Sequence, residues 1–176
     1  DPGLSTSNYV GSCGGWTGSN GIFTNVDPGN DTDPGGVLYG FKDTRLGLPL
    51  KNITDGLSKT FLVGERCGAS SQADALAGNG HFAAVWLGTG NSSNANTKSC
   101  GRIYGVTNPV KKINLFTPPP ISSGDAGKYF SSKHRGGSLF LYCDGAVSFV
   151  GENVDPTTNI LAWLGNRADG NAVTQP

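Results

Sequence analysis

Two histidines, thirteen acidic residues, four cysteines and many serines are the groups in this 176-residue chain that could do chemistry. The most suggestive spacing is His134 followed, after nine residues, by Asp144-Gly145. With Ser131 or Ser132 just upstream, the set contains a hydroxyl, an imidazole and a carboxylate, the ingredients of nucleophilic catalysis. No G-x-S-x-G elbow accompanies them. The glycine-rich stretches lack both the phosphate-loop pattern and a G-x-G-x-x-G set between strand and helix. Glu65 and Glu152 could supply the two carboxylates of a glycosidase, but a sequence does not fix their separation. Trp16, Trp86 and Trp163 could stack on sugars, although packing explains them equally well and explains Trp163 better. Asp27, Asn30, Asp31 and Asp33 offer the hard oxygen ligands that calcium prefers. The Asp31-x-Asp33-x-Gly35 spacing echoes a calcium loop without its later acidic ligand, so a solvated turn is the simpler reading. Calcium is the one cofactor these residues hint at, and none of the patterns calls for an enzyme.

The elements that must position these groups argue against a His–Asp dyad. Leu139 to Cys143 and Ala146 to Val150 are rich in β-formers and flank Asp144-Gly145, a strong turn signal. The expectation is a hairpin closed by a two-residue turn, with Cys143 opposite Ala146, Tyr142 opposite Val147 and Phe140 opposite Phe149. Alternation then places Phe140, Tyr142, Val147 and Phe149 on one face, and both faces are apolar enough to need covering. His134 precedes the first strand and Asp144 follows it. Six extended residues span about 20 Å, too far for a shared hydrogen bond.

Composition sets the class. The formal net charge is zero, 15% of residues are charged, and 28 glycines and 10 prolines accompany many Asn, Ser and Thr. This suits short strands with turns and long loops, and disfavours nucleic acid as a partner. Methionine is absent, as expected of a processed product or a fragment. No stretch approaches the ~20 apolar residues of a membrane-spanning helix. Cys13, Cys67, Cys100 and Cys143 have no C-x-x-C spacing, so two disulfides fit better than zinc. Cys67–Cys100 is the most local pairing that closes a substantial loop, leaving Cys13–Cys143, but all three connectivities stay open. Asn30, Asn52 and Asn91 head glycosylation sequons that chance can supply in such a chain.

Further elements follow along the chain. Strands are expected near residues 8–10, 37–42, 60–65, 81–87 and 101–106, and a short helix over 71–77. Residues 49–65 read as strand, tight helical turn, strand, with Thr54 or Asp55 capping the turn. Asp155 as N-cap and Pro156 at the first position open a final helix. There Ile160, Trp163 and Leu164 share a face, and Gly165 closes the helix in a left-handed conformation. The whole, residues 1–176, reads as one domain of mainly β, α+β class: an antiparallel sheet with long loops and a short C-terminal helix.

Three blocks carry a family resemblance. "NITDGLSKTFLVGE" (52–65) contains Asp55-Gly56 and a strand ending in Val-Gly-Glu at Glu65. "FSSKHRGGSLFLYCDGAVSFVGENVD" (130–155) contains His134, Gly136, Gly137, Asp144 and Gly145. "ILAWLGNRADGNAV" (160–173) closes the chain. Together they resemble the planctomycete-type prepilin-like family with the H-x9-D-G signature. Arg135 stands where that family usually has proline, and residues 68–129 match least. The resemblance implies a pilin-like sheet, and a leader and long N-terminal helix upstream of Asp1, the only route by which the chain would meet a membrane. It implies an extracytoplasmic, non-catalytic subunit of a pilin-like or pseudopilin-like (type II secretion-like) filament or surface assembly. Its partners would be further copies or related subunits, and its signature residues would be structural turns. The alternative is a secreted module for glycan-dependent or calcium-dependent adhesion, drawn from the Asp-rich loop and the aromatics.

Overall fold

A computed structural model describes residues 6–16, 35–37, 48–67, 84–85, 100–104, 113–114, 130–154, 160–171 and 173. Seven strands are present among them: β1 (Thr6–Ser7), β2 (Tyr9–Trp16), β3 (Phe61–Glu65), β4 (Ala84–Val85), β5 (Cys100–Tyr104), β6 (Gly137–Tyr142) and β7 (Val147–Gly151). Among the same residues one α-helix, α1, spans Ile160–Gly165. The main sheet has the order β5-β2-β3-β6-β7, and β1 pairs with β4 in a separate two-stranded ladder. Four strands of the main sheet run antiparallel as expected; β5 departs from that pattern and lies parallel to β2.

One face of the sheet is sealed. Phe61, Phe140, Tyr142 and Val150 join Val10, Phe130 and Ile113 beneath α1, which contributes Leu161, Ala162 and Leu164. The Phe61 and Phe140 rings stack at 4.2 Å, and Phe130 meets Phe140 edge-on at 4.9 Å. Aromatic rings bury a large apolar area in such arrangements, which makes this cluster the centre of the core. Gly64 lets it close: a Cβ there would lie 2.4 Å from the Phe130 ring. Arg66, just after β3, is also buried, and that burial lowers its pKa to about 10.

The β6–β7 hairpin forms, but in a different register from the expected one. Tyr142 N–H donates to Ala146 O at 2.8 Å, and Gly145 N–H donates to Tyr142 O at 3.1 Å. Three residues, Cys143 to Gly145, therefore make the turn, and Gly145 alone among them has positive φ, at 91°. The extra turn residue slides the pairing by one. Leu139 now faces Phe149, Leu141 faces Val147, and Phe140 faces Ser148. A one-residue slip moves a strand's side chains to the opposite face. Val147 and Phe149 thus leave Phe140 and Tyr142 and turn outward.

Other local expectations also change. Residues Leu50–Asn52 form a short 3-10 turn instead of a strand, and Leu57–Lys59 form another with no side-chain cap. Gly165 ends α1 without left-handed geometry, and Trp163 is half-buried outside the core cluster. The expected cap at residues 155–156, the helix at 71–77 and residues 38–42 lie outside the described residues.

Candidate functional site

The signature residues fall into three places: the tip of the hairpin, its foot, and a latch to the segment that follows α1. At the tip, Asp144 is exposed and its Oδ1 accepts from Ala146 N–H at 2.9 Å. This is a local turn bond of the kind Asp makes two residues on. Tyr142 and Cys143 flank it. Burial, reinforced by the Asp144 charge, pushes the Tyr142 hydroxyl up to about 12 and the Cys143 thiol up to about 11. A thiol so shifted stays protonated and is a poor nucleophile at neutral pH.

At the foot, His134 reaches Glu65 rather than Asp144. Its Nε2 lies 3.6 Å from Glu65 Oε1, a contact that is ionic only when the imidazole is protonated. The other oxygen, Oε2, accepts from Leu139 N–H at 2.8 Å and from the Ser138 hydroxyl at 3.4 Å. The physical reason lies in the chain path. Beyond Gly64, β3 pairs with the 130–132 segment: Ser131 N–H donates to Glu65 O, and Cys67 N–H to Ser131 O, both at 3.0 Å. The main chain of Glu65 is thus committed to that segment, and its carboxylate satisfies the start of β6 instead. Unsatisfied backbone donors in a part-buried place are costly, so this carboxylate is structural mortar as well as a charge.

Asn114 does the same work on the neighbouring side. It holds the left-handed conformation, φ 59°, which Asn tolerates better than most residues. Its Oδ1 accepts from Ser132 N–H at 2.6 Å, and its Nδ2 donates to Gly137 O at 2.9 Å and to Glu152 Oε2 at 3.4 Å. Glu65 and Glu152 therefore both serve the hairpin foot. Ser132 Oγ accepts from the backbone N–H of His134 at 3.1 Å, a turn bond that leaves the Ser–His relation a main-chain one. Gly136, at φ 81°, turns the chain into β6. Gly137 lets Phe149 lie close: a Cβ there would sit 2.7 Å from the Phe149 ring and 2.2 Å from Val150 O.

At the latch, Asp55 is buried and does not cap the following turn. Its carboxylate accepts from Asp169 N–H at 2.8 Å and Gly170 N–H at 3.1 Å, while its own N–H donates to Arg167 O at 3.2 Å. Arg167 in turn donates from Nη1 to Gly36 O at 2.6 Å. The Asp55-Gly56 pair thus ties three distant segments together. Asn114, Arg167 and Asp169 were not singled out by sequence; for Asp169-Gly170 the signal was a third Asp-Gly pair in the closing block.

The two-disulfide expectation fails. Cys67 and Cys143 are free, and each belongs to one of the two favoured pairings. Cys67 Sγ instead donates to Ser131 Oγ at 3.3 Å, and Cys143 sits in the hairpin turn. Among the described residues no group of His, Cys, Asp and Glu is arranged to hold a metal, and no helix is long and apolar enough to cross a membrane. The calcium candidates Asp27, Asn30, Asp31 and Asp33 lie outside the described residues, as does Asn91. Asn52 is exposed. The side chains of Cys13, Trp16 and Cys100 also fall outside the described set.

A family model described as "Protein of unknown function (DUF1559)" matches residues 3–157. The chain belongs to this family. DUF1559 is the planctomycete prepilin-like group, which points to a pilin-like surface protein in general. No curated protein and no solved structure matches the chain. In this DUF1559 protein the matched region holds the foot, the tip and Asp55, while the partners of Asp55 at Asp169 and Gly170 lie beyond it.

Proposed function

We propose that this DUF1559 protein is an extracytoplasmic structural subunit of a pilin-like or pseudopilin-like assembly, acting through packed surfaces and carrying out no reaction. The observation that supports this reading is the outer face of the sheet. Directly opposed residues share a face, so the register places Tyr9, Val63, Leu139, Leu141, Val147 and Phe149 together, away from the sealed core. Tyr9, Val147 and Phe149 are 57%, 61% and 48% exposed. A contiguous apolar face of this kind marks a place where another element docks. By the same register Glu65, opposite Tyr9, lies on this face, where its carboxylate accepts from Leu139 N–H and meets His134, which gives these signature residues a supporting role in a packing surface. The free thiols remove disulfides as an argument for an oxidising compartment, so the extracytoplasmic placement rests on the family alone.

The test uses Tyr9, which is well separated from the β7 edge of the sheet. Tyr9→Lys places a cation opposite Glu65 and is expected to melt like the parent chain in circular dichroism. In the source cell the variant is expected to be lost from surface assemblies seen by immunogold electron microscopy. Normal incorporation of a stably folded Tyr9→Lys chain would contradict the reading.

A further inference from the structure

We infer that the outer edge of β7, which no described strand pairs, pairs antiparallel with β7 of a second copy, joining two main sheets across a two-fold axis near Phe149. Among the described residues β7 is the last strand of the sheet, and its sequence from Val147 to Gly151 contains neither proline nor a charged side chain. Natural edges are usually blunted by such residues, and an unblunted edge is a template for pairing.

The backbone bonds define which groups are on offer. Tyr142 N–H to Ala146 O and Glu152 N–H to Gly136 O, both 2.8 Å, fix the alternation of the β6–β7 ladder. Ser148 and Val150 then turn their main-chain groups toward β6, and Val147 and Phe149 turn theirs away. A two-fold pairing centred on Phe149 sets Phe149 against its own copy and Val147 against Gly151 of the second copy. The Gly151 carbonyl already accepts from Val154 N–H at 3.1 Å, so the ladder is strongest at its centre. Such an interface is self-complementary and closes at two subunits.

Charge selects the second copy as the occupant. The hairpin tip carries exposed Asp144, and the foot carries exposed Lys133, His134 and Arg135. Antiparallel pairing lays the tip of one copy beside the foot of the other, twice per dimer. Glu152 and Glu65 offset part of the foot's charge, but both are half-buried and bonded within the subunit, Glu152 to Asn114 and Glu65 to Leu139 N–H beside His134. Lys59 lies on the β3 side of the tip, where Thr60 O accepts from Cys143 N–H. This dimer goes beyond the subunit reading and does not depend on it.

Sedimentation velocity of the purified chain across a concentration series tests the pairing. The wild type is expected to show a reversible monomer–dimer equilibrium. Val147→Pro removes an outward N–H while sparing the bonds to β6, and is expected to be monomeric with a retained cooperative melt. If Val147→Pro unfolds, the charge variants decide. Asp144→Lys is expected to raise the dimer Kd about tenfold, because it sets like charges against the foot. Adding Lys133→Glu and Arg135→Glu to the same chain is expected to restore the Kd to within about threefold of wild type, as reversing both signs recreates the match. A wild type that stays monomeric, a dimer indifferent to a folded Val147→Pro, or charge reversal without rescue would each overturn the inference.

Discussion

Two Asp-Gly pairs, Asp144-Gly145 and Asp55-Gly56, are identical as dipeptides and opposite in use. Asp144-Gly145 is exposed and local: its carboxylate bonds the N–H two residues on. Asp55-Gly56 is anchored at a distance: its buried carboxylate holds the N–H groups of Asp169 and Gly170, more than a hundred residues away. Both glycines have positive φ, 91° and 106°, and a Cβ at either would meet nothing within 4 Å. Open space at the glycine is therefore common to both sites, and the reach of the carboxylate sets them apart. A turn motif that reads as punctuation can be a tertiary tie when its side chain is buried.

Asp55→Ala should produce the largest effect. Two hydrogen bonds to a buried carboxylate are lost, a cost of about 2–4 kcal/mol. Denaturant unfolding checks the size, and faster amide exchange at Asp169 and Gly170 checks the cause. An effect no larger than that of Asp144→Ala would erase the distinction between the pairs.

Gly56→Ala should come next. Gly56 has φ 106° and ψ 139°, far from any conformation L-residues favour, and replacement is expected to cost about 2–3 kcal/mol. Gly145→Ala should cost about 1–2 kcal/mol, the penalty of a single left-handed residue. Since neither site has steric obstruction, thermal melts of the two variants compare backbone conformation alone. The reverse order would show that the tip, not the latch, is the more constrained.

Asp144→Ala should cost less than about 1 kcal/mol, because its one turn bond is solvent-exposed. A finer effect separates the tip by pH. The Cys143 pKa rises from 9.0 to about 11 on folding, and that of Tyr142 from 10.0 to about 12. Both groups favour the protonated folded state, so their contribution is whole below the unfolded values and is lost as pH climbs through the folded ones. Arg66, lowered from 12.5 to about 10, acts with the opposite sign above pH 10. Among the described residues the decline between pH 9 and 10 therefore belongs mainly to Cys143, and Cys143→Ala should reduce it. An unchanged slope in that interval would mean the thiol does not titrate against folding.

These contrasts show which parts of the fold are legible in sequence. The hairpin was visible because β-formers flank Asp144-Gly145, and the separation of His134 from Asp144 followed from strand length alone. The register was not visible. A two-residue and a three-residue turn share the same dipeptide, and Cys143 gives no sign that it belongs to the turn. A two-residue turn puts Val147 and Phe149 beside Phe140 and Tyr142, so the second apolar face is expected with Leu139 and Leu141 but with the wrong members of β7. The latch was hidden for another reason: Asp55 looks like a helix cap, and its partners are set by the return of the chain after α1. Asn114 was harder still, because one Asn in the least family-like segment carries no local mark of left-handed geometry.

His134 ties these regions together, and the account stands on its serving Glu65 at the foot and not Asp144 at the tip. A double-mutant cycle on folding stability, at a pH acid enough to protonate the imidazole, measures this directly. With His134→Ala and Glu65→Gln the expected coupling is about 0.2–1 kcal/mol, modest because the imidazole is largely exposed. With His134→Ala and Asp144→Asn it is zero within error. Zero coupling to Glu65 together with measurable coupling to Asp144 would contradict the account.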